Sequence, residues 1–256
     1  REAVAMAADS AATVSGEKGQ KVFSSANKIF SLSKYEPVGI MIYGNATLMR
    51  VPWETIIKVY RSTLKDKKFN KLSEYGDDFI NFLKTEKRLF PESEQEKFIL
   101  GNIFGYFHSI KEELVERVDI LIETKTSVTQ DDVDLIFTKL LDEDYKKWHE
   151  APSFVNNFDK ILKDFQSKYI KKVEEIIIEV FEKLPISDEN MKKLKELASS
   201  LFFKFPNGML NSNASGIVIA GFGEEEIFPS IKSYSIEGMA LNILKYKEEN
   251  DKSITN

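Results

Sequence analysis

The chain has 256 residues, of which 42% are hydrophobic and 30% charged, and its formal net charge is −5. This composition is typical of a globular protein with a sizeable core, and the interleaved charges argue against nucleic acid as a partner. The absence of cysteine excludes disulfides, cysteine-ligated metals and a cysteine nucleophile within this sequence. The longest apolar runs fall short of the ~20 residues that a membrane-spanning helix needs. We therefore expect a soluble, cytoplasmic protein with no membrane partner.

The first part of the chain has the pattern of β-strands. An apolar run at 4–8 ends on Asp9, and further runs at 28–32 and 38–43 are separated by polar loops. The first and last of these runs are almost continuously apolar, which is typical of strands that are covered on both faces. The sequence therefore predicts a sheet with a layer on each side.

A helical pattern follows over 52–210. Thr129 and Asp132 have the spacing of an N-terminal cap, and Ser187 predicts the cap of a later helix. The clearest amphipathic stripe lies at 169–184 and predicts a helix with one face in a core.

Strand character returns near the end of the chain. Residues 216–222 and 231–236 are predicted to pair as a hairpin, and a last helix is predicted at 239–247. His108 and His149 have no carboxylate at the spacing of a metal motif. No metal or other cofactor is therefore expected.

Several of these stretches resemble the proteasome β-subunit and HslV peptidase family, in the same order and with roughly the same spacing. They are 4–13 with Ala7-Ala8-Asp9-Ser10, 27–29 around Lys28, 39–46 around Gly44, and 220–238. The resemblance implies the α+β fold of N-terminal-nucleophile hydrolases, a four-layer αββα sandwich of two antiparallel sheets. Residues 1–64 and 211–256 would form this core, and 65–210 would be a large all-α insertion.

The resemblance also implies a catalytic apparatus. In that family the nucleophile is an N-terminal threonine whose own α-amine is the base. The resemblance places Lys28 near that amine, where its positive charge disfavours protonation, and Asp9 against Lys28. It assigns a backbone N–H of Gly44 to the oxyanion. A threonine-type peptidase acting on a peptide or protein substrate is the activity that it implies.

The chain departs from the family pattern at both ends. The family's threonine would lie ahead of Arg1, and little chain follows Gly238 to hold the family's further aspartate and serine. We therefore expect that the nucleophile is missing from this chain and that the chain is truncated. The alternative is a non-catalytic structural or interaction protein whose helical insertion binds partners. Because family members form rings, a homo-oligomer is also implied, although the insertion could block the usual contacts.

Six positions match the family's specificity pocket. If Arg50 faces such a pocket, an acidic substrate side chain is its natural partner. The simpler interpretation is that the apolar members belong to the core and that Arg50 lies on the surface. Asp9 and Lys28 likewise have a structural interpretation, as a turn cap and a solvated lysine. The six positions are Ala12, Ala26, Phe30, Ile42, Ala46 and Arg50.

Overall fold

A computed structural model describes residues 4–9, 12–16, 19–23, 27–125, 127–182, 184–206 and 214–253, with the backbone alone at 12–16, 19–23 and 250–253. The chain divides into two compact units. The first unit combines Arg1–Glu92 with Asn211–Asn256, and the second unit is Ser93–Leu210.

The first unit is built on one main sheet. This sheet has five antiparallel strands in the order β3-β4-β7-β8-β9, while β1 with β2 and β5 with β6 form two-stranded hairpins. Helices α1 and α2 follow β6. The elements are β1 (Ala12–Gly16), β2 (Gly19–Phe23), β3 (Ile29–Ser31), β4 (Val38–Gly44), β5 (Thr47–Leu48), β6 (Val51–Pro52), α1 (Trp53–Leu64), α2 (Leu72–Thr85), β7 (Ser215–Gly221), β8 (Ser230–Ala240) and β9 (Ile243–Ser253).

One face of the main sheet, which we call the helix face, is covered by α1 and α2. The indole N–H of Trp53 donates to Oγ of Ser215 at 2.8 Å, which ties α1 to β7. Gly76 of α2 lies so close to β8 that a Cβ there would be 2.3 Å from the hydroxyl oxygen of Tyr234. Side chains alternate along each strand, so every second residue contributes to this buried face. Its apolar members include Val38, Ile40, Ile42, Ile217, Ile219 and Ile236.

The opposite face of the sheet, which we call the open face, carries smaller and more polar residues. Tyr43 at the end of β4 is 45% exposed there. The segment 4–9 lies against part of this face, because a Cβ on Gly39 would be 2.7 Å from Sδ of Met6. The open face thus has a partial cover of irregular chain.

The described residues of the second unit form four helices, the first of which starts at the boundary residue Glu92: α3 (Glu92–Thr124), α4 (Gln130–Glu150), α5 (Phe158–Val180) and α6 (Asp188–Phe203). The predicted caps are confirmed, because Thr129 and Asp132 form a capping box at α4 and Oγ of Ser187 accepts from the amide of Asn190 at α6. The predicted stripe on α5 is also confirmed. Its buried residues include Tyr169, Val173, Ile177 and Val180.

A hydrogen-bonded chain of side chains lies in the second unit. The indole N–H of Trp148 donates to the hydroxyl of Tyr106 at 2.7 Å, and that hydroxyl donates to Oδ2 of Asp144 at 2.8 Å. Burial raises the pKa of Asp144, although its hydrogen bond from Tyr106 acts in the opposite direction. No helix within the described ranges is both long and apolar enough to cross a membrane.

The structure corrects three expectations. The chain is α+β, but the four-layer αββα sandwich of two antiparallel sheets is wrong: the described strands form one five-stranded sheet and two small hairpins. The run at 4–8 is irregular chain outside any described strand, because an apolar pattern does not reveal whether a segment finds a pairing partner. The helix predicted at 239–247 is wrong, since β8 continues to Ala240 and β9 begins at Ile243.

Candidate functional site

Asp9 and Lys28, which are nineteen residues apart in sequence, form an ion pair. Nζ of Lys28 lies 2.6 Å from Oδ1 of Asp9. The lysine side chain is 22% exposed, whereas the aspartate side chain is 70% exposed. The pair therefore sits at the surface, with its cation better shielded from water than its anion.

The backbone of Lys28 is fixed to the sheet. Its carbonyl accepts a hydrogen bond of 2.8 Å from the amide of Ile42 on β4. β3 begins at the next residue, and Phe30 pairs with Ile40 of the same neighbouring strand. The position of the Lys28 ammonium is thus determined by β4 through the backbone and by Asp9 through the side chain.

Gly44, the last residue of β4, has a conformation that suits glycine. Its φ is +73°, and a Cβ there would lie 2.7 Å from the carbonyl oxygen of Ala214. Gly44 follows Ile42 by two residues, so it lies about 7 Å further along the strand than the residue that pairs with Lys28. The three residues expected to be catalytic thus belong to one end of the sheet.

A hydrogen-bond network centred on the buried hydroxyl of Ser215 holds the chain that follows Gly44. Oγ of Ser215 accepts from the indole of Trp53 at 2.8 Å and donates to the carbonyl of Asn45 at 2.9 Å. Oδ1 of Asn45 accepts from the amide of Thr47 at 3.0 Å. The sequence interpretation missed this network, because Trp53 and Ser215 are 162 residues apart and neither belongs to a local motif.

The open face carries a second contact that the sequence interpretation missed. The hydroxyl of Tyr43 donates to Oε2 of Glu249 on β9 at 3.2 Å. Its ring covers Gly216, where a Cβ would be 1.9 Å from Cζ of Tyr43. Burial and the charge of Glu249 raise the pKa of Tyr43. The tyrosine therefore stays protonated, and its hydrogen bond links the end of β4 to β9.

The six positions expected to line a specificity pocket have different surroundings. Ile42 is 4% exposed and belongs to the helix face, on the same side of the sheet as the half-buried Phe30. Ala46 is exposed, and its carbonyl accepts from the amide of Trp53 at 3.2 Å. Ala12 lies in β1, where only the backbone is described, and Ala26 lies outside the described residues.

Arg50, the sixth position, lies in the turn between β5 and β6. Met49 and Arg50 have φ values of +49° and +69°, the positive signs of a two-residue hairpin turn of type I′. Glycine and asparagine are the usual residues in such a turn, so two larger side chains there are unusual. The turn presents the guanidinium of Arg50 to solvent.

The arrangement at Lys28 offers one fixed cation, its carboxylate partner and a strand end with a positive φ. These groups can bind or orient an anion or an amine, and the nucleophile of an acyl transfer would have to come from another residue. Among the residues that the structure describes, no group of three His, Asp or Glu side chains could hold a metal ion.

Comparison of the chain with protein-family models, with curated proteins and with solved structures gives no match.

Proposed function

We propose that this chain belongs to an amide hydrolase that cleaves peptides or proteins with an N-terminal nucleophile. The observation that carries the proposal is the 2.6 Å ion pair between Asp9 and Lys28. A lysine held in this way is a fixed positive charge at the end of a sheet, next to a strand that ends in a glycine. The support is local, since the sandwich of two sheets expected for such an enzyme is not formed by the described strands.

The proposed reaction begins with a neutral α-amine near Lys28. The positive charge of Lys28 lowers the pKa of that amine, so more of it is unprotonated at neutral pH. The amine takes the proton of the nucleophile's hydroxyl as the oxygen attacks the substrate carbonyl. The proton then passes to the leaving amine, and water hydrolyses the acyl-enzyme. Asp9 keeps the ammonium of Lys28 in place.

The backbone N–H of Gly44 would stabilise the oxyanion in this reaction. A backbone N–H can stabilise the negative oxygen of a tetrahedral intermediate, and a glycine permits the substrate to approach the main chain closely. The contact between Ser215 and the carbonyl of Asn45 would hold this strand end rigid. The proposal requires a threonine at the mature amino terminus, ahead of Arg1, and it places the enzyme in the cytoplasm.

The test uses the full-length protein. Mass spectrometry of its mature amino terminus should show threonine, and fluorogenic peptides should be hydrolysed. Lys28→Ala should lower kcat/KM at least ~100-fold, in line with the usual contribution of positioned acid–base groups. Lys58→Ala is the matched control, because Lys58 makes an exposed ion pair with Glu54 and should change kcat/KM less than about twofold. A terminus without threonine, serine or cysteine would end the proposal.

The pH profile separates catalysis from stability. Without the positive charge of Lys28, the pKa of the amine should rise, so the acid limb of kcat/KM should move to higher pH in Lys28→Met. Lys28→Arg keeps the charge and should move it less. A profile that does not move in Lys28→Met would show that Lys28 acts only through the fold. A peptide panel with acidic, basic and apolar side chains tests whether Arg50 selects acidic substrates.

A non-catalytic interaction protein is the second candidate. The second unit has its own core, and α3 nevertheless exposes several large apolar side chains. Where such side chains form a contiguous patch, the patch marks a protein-binding surface. Light scattering would test whether the partner is a second copy. Peptide hydrolysis that is lost in Lys28→Ala would contradict this candidate. The exposed side chains are Phe104 at 38%, Val115 at 50%, Ile120 at 63% and Ile122 at 56%.

A further inference from the structure

The terminal strand of the main sheet, β3, has one edge that faces away from the sheet. The amide of Ile42 donates to the carbonyl of Lys28, which makes these two residues a hydrogen-bonded pair of the ladder. Bonded and non-bonded positions alternate along an antiparallel pair, so Ile29 and Ser31 occupy the non-bonded positions. Their N–H and C=O groups therefore point away from β4.

A cleft of about 520 Å³ lies over the open face next to this edge, since Gly39 of β4 and Ala220 of β7 also line it. Met6 of the segment 4–9, Ile29 and Ser31 of β3, and Phe222 after β7 contribute to its walls. Most of the walls are apolar, and Ile29 is 39% exposed. The volume lies within the range of small-ligand sites and is sufficient for one or two side chains. The outward edge and the cleft thus share Ile29 and Ser31.

We propose that β3 binds an extended peptide as an added strand, with apolar side chains of the peptide in the cleft. Ile29 and Ser31 each offer an N–H and a C=O, which is the pattern that the backbone of another strand complements. Alternate side chains of an added strand point to the same face, so every second peptide residue would reach the cleft. Backbone hydrogen bonds would provide affinity, and the apolar walls would select the side chains.

An extended peptide is favoured over a compact ligand because it can form hydrogen bonds with the outward N–H and C=O groups of β3. A compact apolar molecule could fill the cleft but would not bind the outward N–H and C=O groups of both residues, for which the described part of the chain provides no backbone partner. An extended peptide engages both features at once. This inference goes beyond the proposed hydrolase, because strand addition requires no nucleophile. A second copy that pairs β3 with β3 is the competing occupant.

The first experiment changes the peptide and leaves the protein unchanged. The probe is a fluorescein-labelled hexapeptide of alternating valine and threonine, and its binding to the full chain is followed by fluorescence anisotropy. One version carries N-methyl groups on the valine amides and another on the threonine amides. In a strand, the amides of alternate residues point to the same edge, so the valine amides point to one edge and the threonine amides to the other. Strand addition therefore predicts that one methylated version binds at least ~10-fold more weakly, at about 1 kcal/mol per lost hydrogen bond, while the other binds normally.

The second experiment changes the protein at Ser31. Ser31→Pro removes the outward N–H, and an edge strand tolerates proline where that N–H faces solvent. Ser31→Ala is the matched control, because both variants lose the hydrogen bond from Oγ of Ser31 to the carbonyl of Ser33 and only the proline loses the amide. We expect Ser31→Pro to weaken binding about fivefold, as one hydrogen bond is lost, and Ser31→Ala to change it less than twofold.

Several outcomes would overturn the inference. They are the absence of binding, equal weakening by both sets of N-methyl groups, and a concentration-dependent dimer that the peptide does not dissociate. If Ser31→Pro fails to fold, the two methylated peptides still decide the question on the unchanged protein. Lys28→Ala separates the two proposals, since it should lower kcat/KM at least ~100-fold, whereas the outward backbone groups of Ile29 and Ser31 that bind the peptide stay in place. Binding without any hydrolysis would contradict the proposed function alone.

Discussion

The carboxylate of Glu237 lies 2.8 Å from the ammonium of Lys245, although both side chains are only 7% exposed. The two residues stand on the neighbouring strands β8 and β9, beside a register shift between Ile236 and Gly238. Burial lowers the pKa of Lys245, and the charge of Glu237 acts in the opposite direction. A buried pair of this kind depends on both partners, because a single charge left behind is neither solvated nor neutralised.

Removal of one partner should therefore destabilise the first unit strongly. We expect Glu237→Gln to lower the free energy of unfolding by about 3 kcal/mol, because the buried ammonium of Lys245 would lose the charge of the Glu237 carboxylate. The chain has two tryptophans, one in each unit, so urea unfolding of the first unit can be followed through Trp53 in a Trp148→Phe background.

The control for this prediction is Glu54→Gln. Glu54 pairs with Lys58 one helical turn away, and their side chains are 47% and 69% exposed. Such pairs contribute less than about 1 kcal/mol, so the control should change stability little. Equal losses of stability in Glu237→Gln and Glu54→Gln would show that the buried pair of Glu237 and Lys245 contributes no more than an exposed pair.

The same substitution, glycine to alanine, should have opposite effects at Gly44 and Gly101. At Gly44 the φ of +73° and the carbonyl of Ala214 at 2.7 Å oppose a Cβ, so we expect a loss of about 1–2 kcal/mol in the first unit. Gly101 lies in α3 with nothing within 4 Å of an added Cβ. Gly101→Ala should stabilise the second unit by about 0.5–1 kcal/mol.

Each effect is measured in the background that isolates its unit. Urea unfolding of the Gly44 variant is followed through Trp53, and that of the Gly101 variant through Trp148 in a Trp53→Phe background. A Gly44→Ala protein as stable as its parent would mean that the end of β4 adapts to a side chain. The strand end would then be a poor candidate for a rigid oxyanion site.

The features that could be predicted from the sequence have local causes. Thr129 caps α4 through a residue three positions away, and the stripe on α5 repeats with the helical period. The helix predicted at 239–247 is wrong because the structure of this segment has a distant cause. It contains the turn at Leu241 and Asn242, with φ values of +51° and +61°, and pairing with β8 determines its structure. Leucine is unusual at a positive φ, so the sequence does not indicate a turn at this position.

The candidate site shows the same division between local and distant causes. A resemblance singled out Asp9 and Lys28, and the structure brings them into contact. No spacing in the sequence indicates that Ser215 joins Trp53 to Asn45, or that Tyr43 reaches Glu249 across 206 residues. Contacts of this separation depend on the strand order of the sheet. The order itself follows from which strand edges pair, which a single sequence does not specify.

Loss of the Ser215 hydroxyl should loosen the network after Gly44. Ser215→Ala leaves the indole N–H of Trp53 without this partner in a buried position and removes the bond to the carbonyl of Asn45, so we expect a loss of about 1–3 kcal/mol in the first unit. The emission of Trp53 in a Trp148→Phe background should shift as well. Ser62→Ala is the control, because Ser62 is exposed on α1 and should cost less than about 0.5 kcal/mol. Unchanged emission and stability in Ser215→Ala would contradict the prediction.

The acid sensitivity of the second unit should depend on Asp132. Hydrogen bonds from Lys125 and from the backbone and hydroxyl of Thr129 lower the pKa of Asp132 to about 2. A carboxyl group whose pKa is lower in the folded state stabilises the protein above its unfolded pKa, which is near 3.8. That contribution should therefore be present near neutral pH and should disappear as the pH falls from about 4 to about 2.

Asp132→Asn should flatten the stability profile in this acid window. The measurement is the urea midpoint of the second unit, followed through Trp148 in a Trp53→Phe background at a series of acidic pH values. Asp131→Asn is the matched control, because Asp131 is the preceding residue of the same first turn, is exposed, and does not belong to the capping box with Thr129. The raised pKa of Asp144 has the opposite effect, since its contribution to stability falls as the pH rises, and it is common to both variants. If Asp131→Asn flattens the profile as much as Asp132→Asn, the cap is not the source of the acid sensitivity.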